Sequence, residues 1–281
     1  MSNADLSIAA IFGAGIAAGL LGSMTGLGGG ALIVPLLTIG FGLDIRVAVG
    51  ASIVSIIATS SGAAAAFVRD HLTNIRIGML LELGTTLGGL SGAYLTTYLP
   101  LGALFVLFGV VQLASAALMA RRLGEELPHG VVNDRLANAL RLSGSYPDHI
   151  VGEEVAYQVR GVPAGLSMMY FAGVFSALLG IGAGSMKVPA MDILMRLPMK
   201  VSTATSNFMI GVTAAASAGV YFWRGDIVPA VAAPVALGVL VGASAGAQLL
   251  LRFPNVTVRL IFVPVLLGFG VEMLLRGLGV A

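Results

Sequence analysis

The chain contains no cysteine, three histidines and one tryptophan, and only 10% of its 281 residues are charged. Without cysteine it has no disulfide scaffold, thiolate metal site, iron–sulfur cluster or thiol nucleophile. His71, His129 and His149 all fall in polar connections, and no HExxH pattern occurs. The usual metal and triad constellations therefore lack raw material, so no cofactor is predicted and a membrane-embedded enzyme is disfavoured. A soluble domain carries roughly 25% charged residues. A chain with so few, 57% hydrophobic and with mean hydropathy +0.98, is at home only in a bilayer. Its net charge of +2 points to no nucleic-acid partner, since basic residues in such a chain mark the cytoplasmic side.

What is abundant is apolar sequence and glycine. Long apolar runs cover 6–42, 47–68, 76–98, 101–120, 162–195, 200–223, 228–251 and 258–275. A spanning helix needs about 20 residues, so eight runs qualify. The first and fifth are too long for one helix and too short for two. Each reads as a helix, a glycine break and a shorter second helix, giving about ten helical segments, with Pro35 and Pro189 early in the shorter ones. The stretch Ile8–Leu21 has no basic residue before it and reads as a retained helix rather than a signal peptide. The polar segment 121–160 reads either as a disordered linker or, as we favour, as a small insert. Val131–Leu142 has helical spacing, and Leu140–Leu142 and Val155–Val159 read as strands flanking a loop over Gly144–Glu154.

At an offset of 154 residues the sequence falls on itself without a gap, from Gly19 on Gly173 to Leu113 on Leu267. Gly26-Leu-Gly28-Gly-Gly30 lands on Gly180-Ile-Gly182-Ala-Gly184, Pro35 on Pro189, Ser52 on Ser206, Thr59 on Thr213, and Gly88 and Gly92 on Gly242 and Gly246. The predicted fold is an all-α polytopic membrane protein of two homologous repeats, 1–120 and 161–281, with a cytoplasmic helix and β-hairpin insert over 121–160. If each broken segment returns to its starting side, the repeats are inverted. Arg196, Lys200, Arg252 and Arg259 then join the basic residues of the insert on one side, as the positive-inside rule favours. Duplicated halves with broken helices at matching positions are a pattern of secondary transporters.

Candidate functional residues cluster at the breaks. Gly26–Ala31 formally fits the dinucleotide pattern G-x-G-x-x-A, but a membrane helix precedes it and Pro198 replaces Asp44 in the second copy. The glycines either permit tight helix crossing or break the helix, freeing backbone N–H groups that attract anions. On the second reading, Gly28, Gly29 and Gly30 face Gly182, Ala183, Gly184 and Ser185 across a shared site. Lys187, one of two lysines, lies just past the second break where the first copy has Ile33. An ammonium in hydrocarbon is costly. It either snorkels to an interface or, as we favour, pairs with Asp192 or a substrate anion. Ser52, Thr205, Ser206 and Asn207 supply further polar groups that either line the site or bond to helix backbone. Glu82 either titrates inside the membrane and couples proton movement, or sits at the interface beside Arg76.

At Gly26-Leu-Gly-Gly-Gly30 with Val34-Pro35, Gly180-Ile-Gly-Ala-Gly184 with Lys187-Val-Pro189, and Ala204-Thr-Ser-Asn207, the chain resembles the sulfite exporter TauE/SafE family, also called the toluenesulfonate uptake permease family. The resemblance covers nearly the whole chain. Ala183 in place of a glycine is a mild departure. The resemblance implies a multi-pass inner-membrane transporter of small sulfur-containing anions, sulfite or organosulfonates, and leaves room for a homo-oligomer. Within transport the nearest rival reading is an anion channel; a non-transporting membrane subunit is the other.

Overall fold

The computed structural model describes residues 3–25, 28–121, 131–148, 153–182, 184–250 and 255–280. The first half runs α1 (Asn3–Thr25), α2 (Gly30–Pro35), a π turn (Leu36–Gly40), α3 (Ile45–Arg69), α4 (Ile75–Leu95) and α5 (Leu101–Arg121). The insert holds α6 (Arg135–Ala139), β1 (Gly144–Asp148) and β2 (Glu153–Tyr157). Then come α7 (Val162–Leu179), α8 (Gly184–Pro189), a second π turn (Ala190–Leu194), α9 (Met199–Trp223), α10 (Pro229–Leu250) and α11 (Asn255–Gly277). The order of elements in the first half recurs in the second. The two short helices and the two π turns keep the 154-residue register.

Pro35 and Pro189 end the short helices rather than opening them, because those helices begin only at Gly30 and Gly184. A proline has no N–H to return to the carbonyl four residues back. The helix widens into a π turn directly after each one, and Gln112 of α5 donates its amide to the Ala31 carbonyl that Pro35 leaves free, at 2.9 Å.

Among the described residues four helices are long and apolar enough to cross a bilayer: Ile8–Thr25, Ile45–Arg69, Val162–Leu179 and Pro229–Leu249. The sequence predicts eight. Two others are less apolar because of what they carry: Arg76, Glu82 and five glycines in α4, and Lys200 with a run of Ser, Thr and Asn in α9. Those polar side chains of α9 are buried in protein, so lipid does not see them. The outward face of α4 is the opposite case. Met79, Leu83, Leu87, Leu90 and Tyr94 stand exposed at helical spacing, an apolar stripe suited to lipid.

Helix pairing interleaves the halves. α1 lies along α10 and α4 along α7, while α5 packs on α11 and α3 on α9. Glycine makes the first two contacts close: a methyl group at Gly242 would overlap the Ile16 carbonyl, and one at Gly88 the Tyr170 carbonyl. Residues 1–120 and 161–281 are thus divisions of the sequence and not separate packed bodies. α3 and α9, which correspond at the repeat offset, run antiparallel: Gly50 meets Asp226, Ser60 bonds to the Asn207 carbonyl, and Phe67 packs with Val201.

The insert departs from expectation in register. Its helix is confined to Arg135–Ala139, capped by Asp134, and Arg141 has left the helical region (φ 51°). The first strand is Gly144–Asp148, inside the segment predicted as a loop, and Tyr146 pairs with Val155. Pro147 is tolerated there because a two-stranded ribbon is all edge. The residues joining the strands lie outside the described ones. Tyr146 is buried among Phe67, Leu72, Val201, Ala204 and Ala247, which seats the hairpin on one end of the bundle.

Candidate functional site

The two glycine breaks meet inside the bundle. Gly28 (φ 77°), Gly29 (φ 71°), Gly180 (φ 62°) and Gly182 (φ 73°) adopt left-handed backbone that glycine alone enters freely. Gly30 lies against the Gly180 carbonyl, which also accepts a hydrogen bond from Ser52. Ile56 and Ile210, a pair at the repeat offset, fill the space beside the turns; Ile56 touches both Gly28 and Gly182. Gly26, Leu27 and Ala183 lie outside the described residues, as does the side chain of Ser185. α2 and α8 have six residues each. Helices of under two turns align few peptide dipoles, so an attraction for anions here must come mainly from a formal charge.

That charge is Lys187. Its side chain is fully buried (0% exposed), so it does not snorkel to an interface. It donates to Thr213 Oγ1 at 2.7 Å, and Thr213 donates to Glu82 Oε1 at 2.7 Å. Thr86 adds a second donor to Glu82 Oε1 at 3.0 Å. Lys187 Nζ stands 3.8 Å from Glu82 Oε2, which has no hydrogen-bond partner among the described residues. At an effective dielectric near 20, two unit charges at about 4 Å attract by roughly 4 kcal/mol. α8, α9 and α4 thus bring a cation, a hydroxyl and a carboxylate into one buried line.

One pairing that local spacing suggests gives way to this arrangement for a geometric reason. Arg76 precedes Glu82 by six residues, on a different face of α4, and donates instead to the Arg141 carbonyl at 3.0 Å. Asp192 lies in the π turn that follows α8. Thr213, which links the pair, is legible in the sequence only as the repeat partner of Thr59. Thr86 carries no signal there.

The remaining candidates divide. Ser52 is at the junction of the breaks, and Gly184 begins α8. Asn207 donates to the carbonyls of Ser23 (2.9 Å) and Thr203 (3.0 Å), just ahead of the first break, and its buried Oδ1 has no hydrogen-bond partner among the described residues. Ser206 is buried on the same stretch of α9. Thr205 faces elsewhere: it accepts from the Asn74 N–H at 3.1 Å, and Asn74 in turn bonds to Leu142 and Tyr157 of the insert.

Comparison with known proteins agrees with this geometry at the level of the family. A Bacillus subtilis (strain 168) protein described as "Probable membrane transporter protein YunE" is 27% identical over 272 residues, spanning 94% of this chain and 96% of its own length. "Probable membrane transporter protein YdhB" of the same organism is 25% identical over 242 residues, spanning 86% of this chain and 89% of its own length. No solved structure matches. The sequence model of the family described as "Sulfite exporter TauE/SafE" matches residues 11–273, and with nearly the whole chain covered this multi-pass membrane protein belongs to that family of membrane transporters.

Proposed function

We propose that the protein is a secondary transporter that exports small sulfur-containing anions, sulfite or organosulfonates, across the inner membrane by alternating access around a site between the glycine breaks. The observation that carries this reading is Lys187. A fully buried ammonium beside a break in the membrane-embedded fold is expensive to keep, and a substrate anion is a reason to keep it. Ser52, Gly28–Gly30, Gly182, Gly184 and the Ser206–Asn207 stretch of α9 surround the same junction. The antiparallel course of α3 and α9, and the exchange of helices between halves, support reading the repeats as inverted. In transporters built that way one set of helices rocks against the other around a fixed site. The family's description supports sulfite and the outward direction.

The test is flux through purified protein in liposomes. Labelled sulfite or a sulfonate should move in a saturable manner and accelerate when unlabelled anion is present on the far side, which a channel would not do. Lys187→Ala should lower that flux at least tenfold. Undiminished flux of every candidate anion in Lys187→Ala would remove Lys187 from the site.

A further inference from the structure

We propose that Glu82, Thr213 and Lys187 couple each anion to one proton: Glu82 Oε2 takes a proton from the water on the loading side, Lys187 is released to the anion, and both are discharged together on the other side. This rests on the reading that Lys187 holds the anion. The starting site is neutral, with one buried cation and one buried carboxylate 3.8 Å apart. An anion arriving alone would leave a net negative charge in a medium that tolerates it poorly. An anion arriving with a proton leaves the site neutral again.

The geometry supplies each part. Glu82 Oε1 is held by Thr213 and Thr86, while Oε2 has no hydrogen-bond partner among the described residues and is the oxygen free to take the proton. Once protonated, Glu82 still accepts through Oε1, so the Thr213 bond survives and keeps Lys187 positioned. Few other ionisable groups face the carboxylate. α7 contributes none but Tyr170, whose hydroxyl donates to Ser91 near the surface. On α9 the nearest are Tyr221 and Lys200, eight and thirteen residues from Thr213, or about 12 and 20 Å along the axis. On α4 the others are Arg76, engaged with Arg141, and Tyr94, twelve residues on and bonded to Tyr98. The turn after α8 carries Asp192, and α5 carries Arg121 at its far end. At the repeat offset Lys187 and Glu82 correspond to Ile33 and Ala236. The device therefore has no counterpart at the repeat offset, and the stoichiometry is one proton per anion. For a monovalent sulfonate the cycle moves no net charge, so its direction follows the combined gradients of the anion and the proton rather than the membrane potential.

The experiment is anion binding to the purified, detergent-solubilised chain in weakly buffered solution between pH 5 and 8, with methanesulfonate and thiosulfate as probes because both stay ionised throughout. The wild type should take up one proton per anion bound, and where it does so its affinity should fall with rising pH by about tenfold per pH unit. Glu82→Gln mimics the protonated carboxyl. It should bind at pH 8 at least tenfold more tightly than the wild type, with flat pH dependence and no proton uptake. Glu82→Asp is the second variant, and it should keep the uptake with a displaced pH midpoint. Binding to the wild type without proton uptake would overturn the coupling and leave the anion site standing. An unmoved midpoint in Glu82→Asp would assign the proton to another group and overturn it as well. Absence of binding at any pH would remove the anion reading and the coupling with it.

Discussion

The surroundings of the two breaks are built on one plan and carry different chemistry. Beside the second stand Lys187, Thr213 and Glu82; at the positions related by the 154-residue offset the chain has Ile33, Thr59 and Ala236. Both threonines bond to the carbonyl four residues back, Ser55 for Thr59 and Met209 for Thr213. Thr59 then reaches a glycine carbonyl of its own break, at 3.3 Å, whereas Thr213 reaches a carboxylate. At the first break the corresponding positions carry no charge. The ion pair beside the second is the difference that the proposed transport role uses.

The strongest way to break that contrast is to convert the second site into the first. Lys187→Ile alone strands the buried Glu82 carboxylate, and breaking one side of such a pair costs about 3–5 kcal/mol. Lys187→Ile with Glu82→Ala restores an apolar match. The double variant should recover most of the lost thermal stability in detergent while anion flux stays at least tenfold below wild type. Flux that returned with stability would mean that the charges serve folding alone.

A milder comparison sets the threonines against each other. Thr213→Val removes hydrogen bonds to charged groups, worth about 1.5–3 kcal/mol, and Thr59→Val a neutral one, worth about 1 kcal/mol. Thermal melts should rank Thr213→Val as the more damaging, and equal effects would deny the Lys187–Thr213–Glu82 line any special strength. The smallest effect concerns the insert, which is tied to the second half at the start of α7. Asp134 accepts from Ala137 at 2.6 Å and from Val162 at 3.0 Å. Partial burial pushes its carboxyl upward, but the backbone N–H groups of Ala137, Val162, Gly161 and Leu136 outweigh this and hold it below its ordinary value. The stabilisation it contributes is thus complete above the ordinary carboxylate range and is lost as pH falls through the lowered value. Asp134→Ala should cost about 1 kcal/mol at neutral pH, and its melting-temperature gap to wild type should close below about pH 4.

Much of this is legible in the sequence, and the parts that are not share a cause. Glycines and prolines anchor the breaks and the repeat because their backbone chemistry is local. Lys187 is visible because a charge in an apolar run is conspicuous wherever it points. Its partner is not, since Glu82 lies in the other half of the chain and reaches Lys187 through the packing of α4 and α8 on α9. Local spacing suggests Asp192 and Arg76 instead, and helical phase turns Arg76 away from Glu82. Pro147 reads as a loop residue because proline usually leaves a ladder; in a ribbon with no interior strand it need not.

The interleaving of the halves also constrains how the molecule is made. Phe12 and Ile16 of α1 find their close neighbours in Gly238 and Gly242, which leave the ribosome long after α1 has entered the bilayer. Until α10 arrives, the small-residue face of α1 has no matching groove and must be held by lipid or by insertion machinery. Assembly can be completed only near the end of synthesis, so a chain truncated before α10 should be degraded rather than persist as a half-transporter.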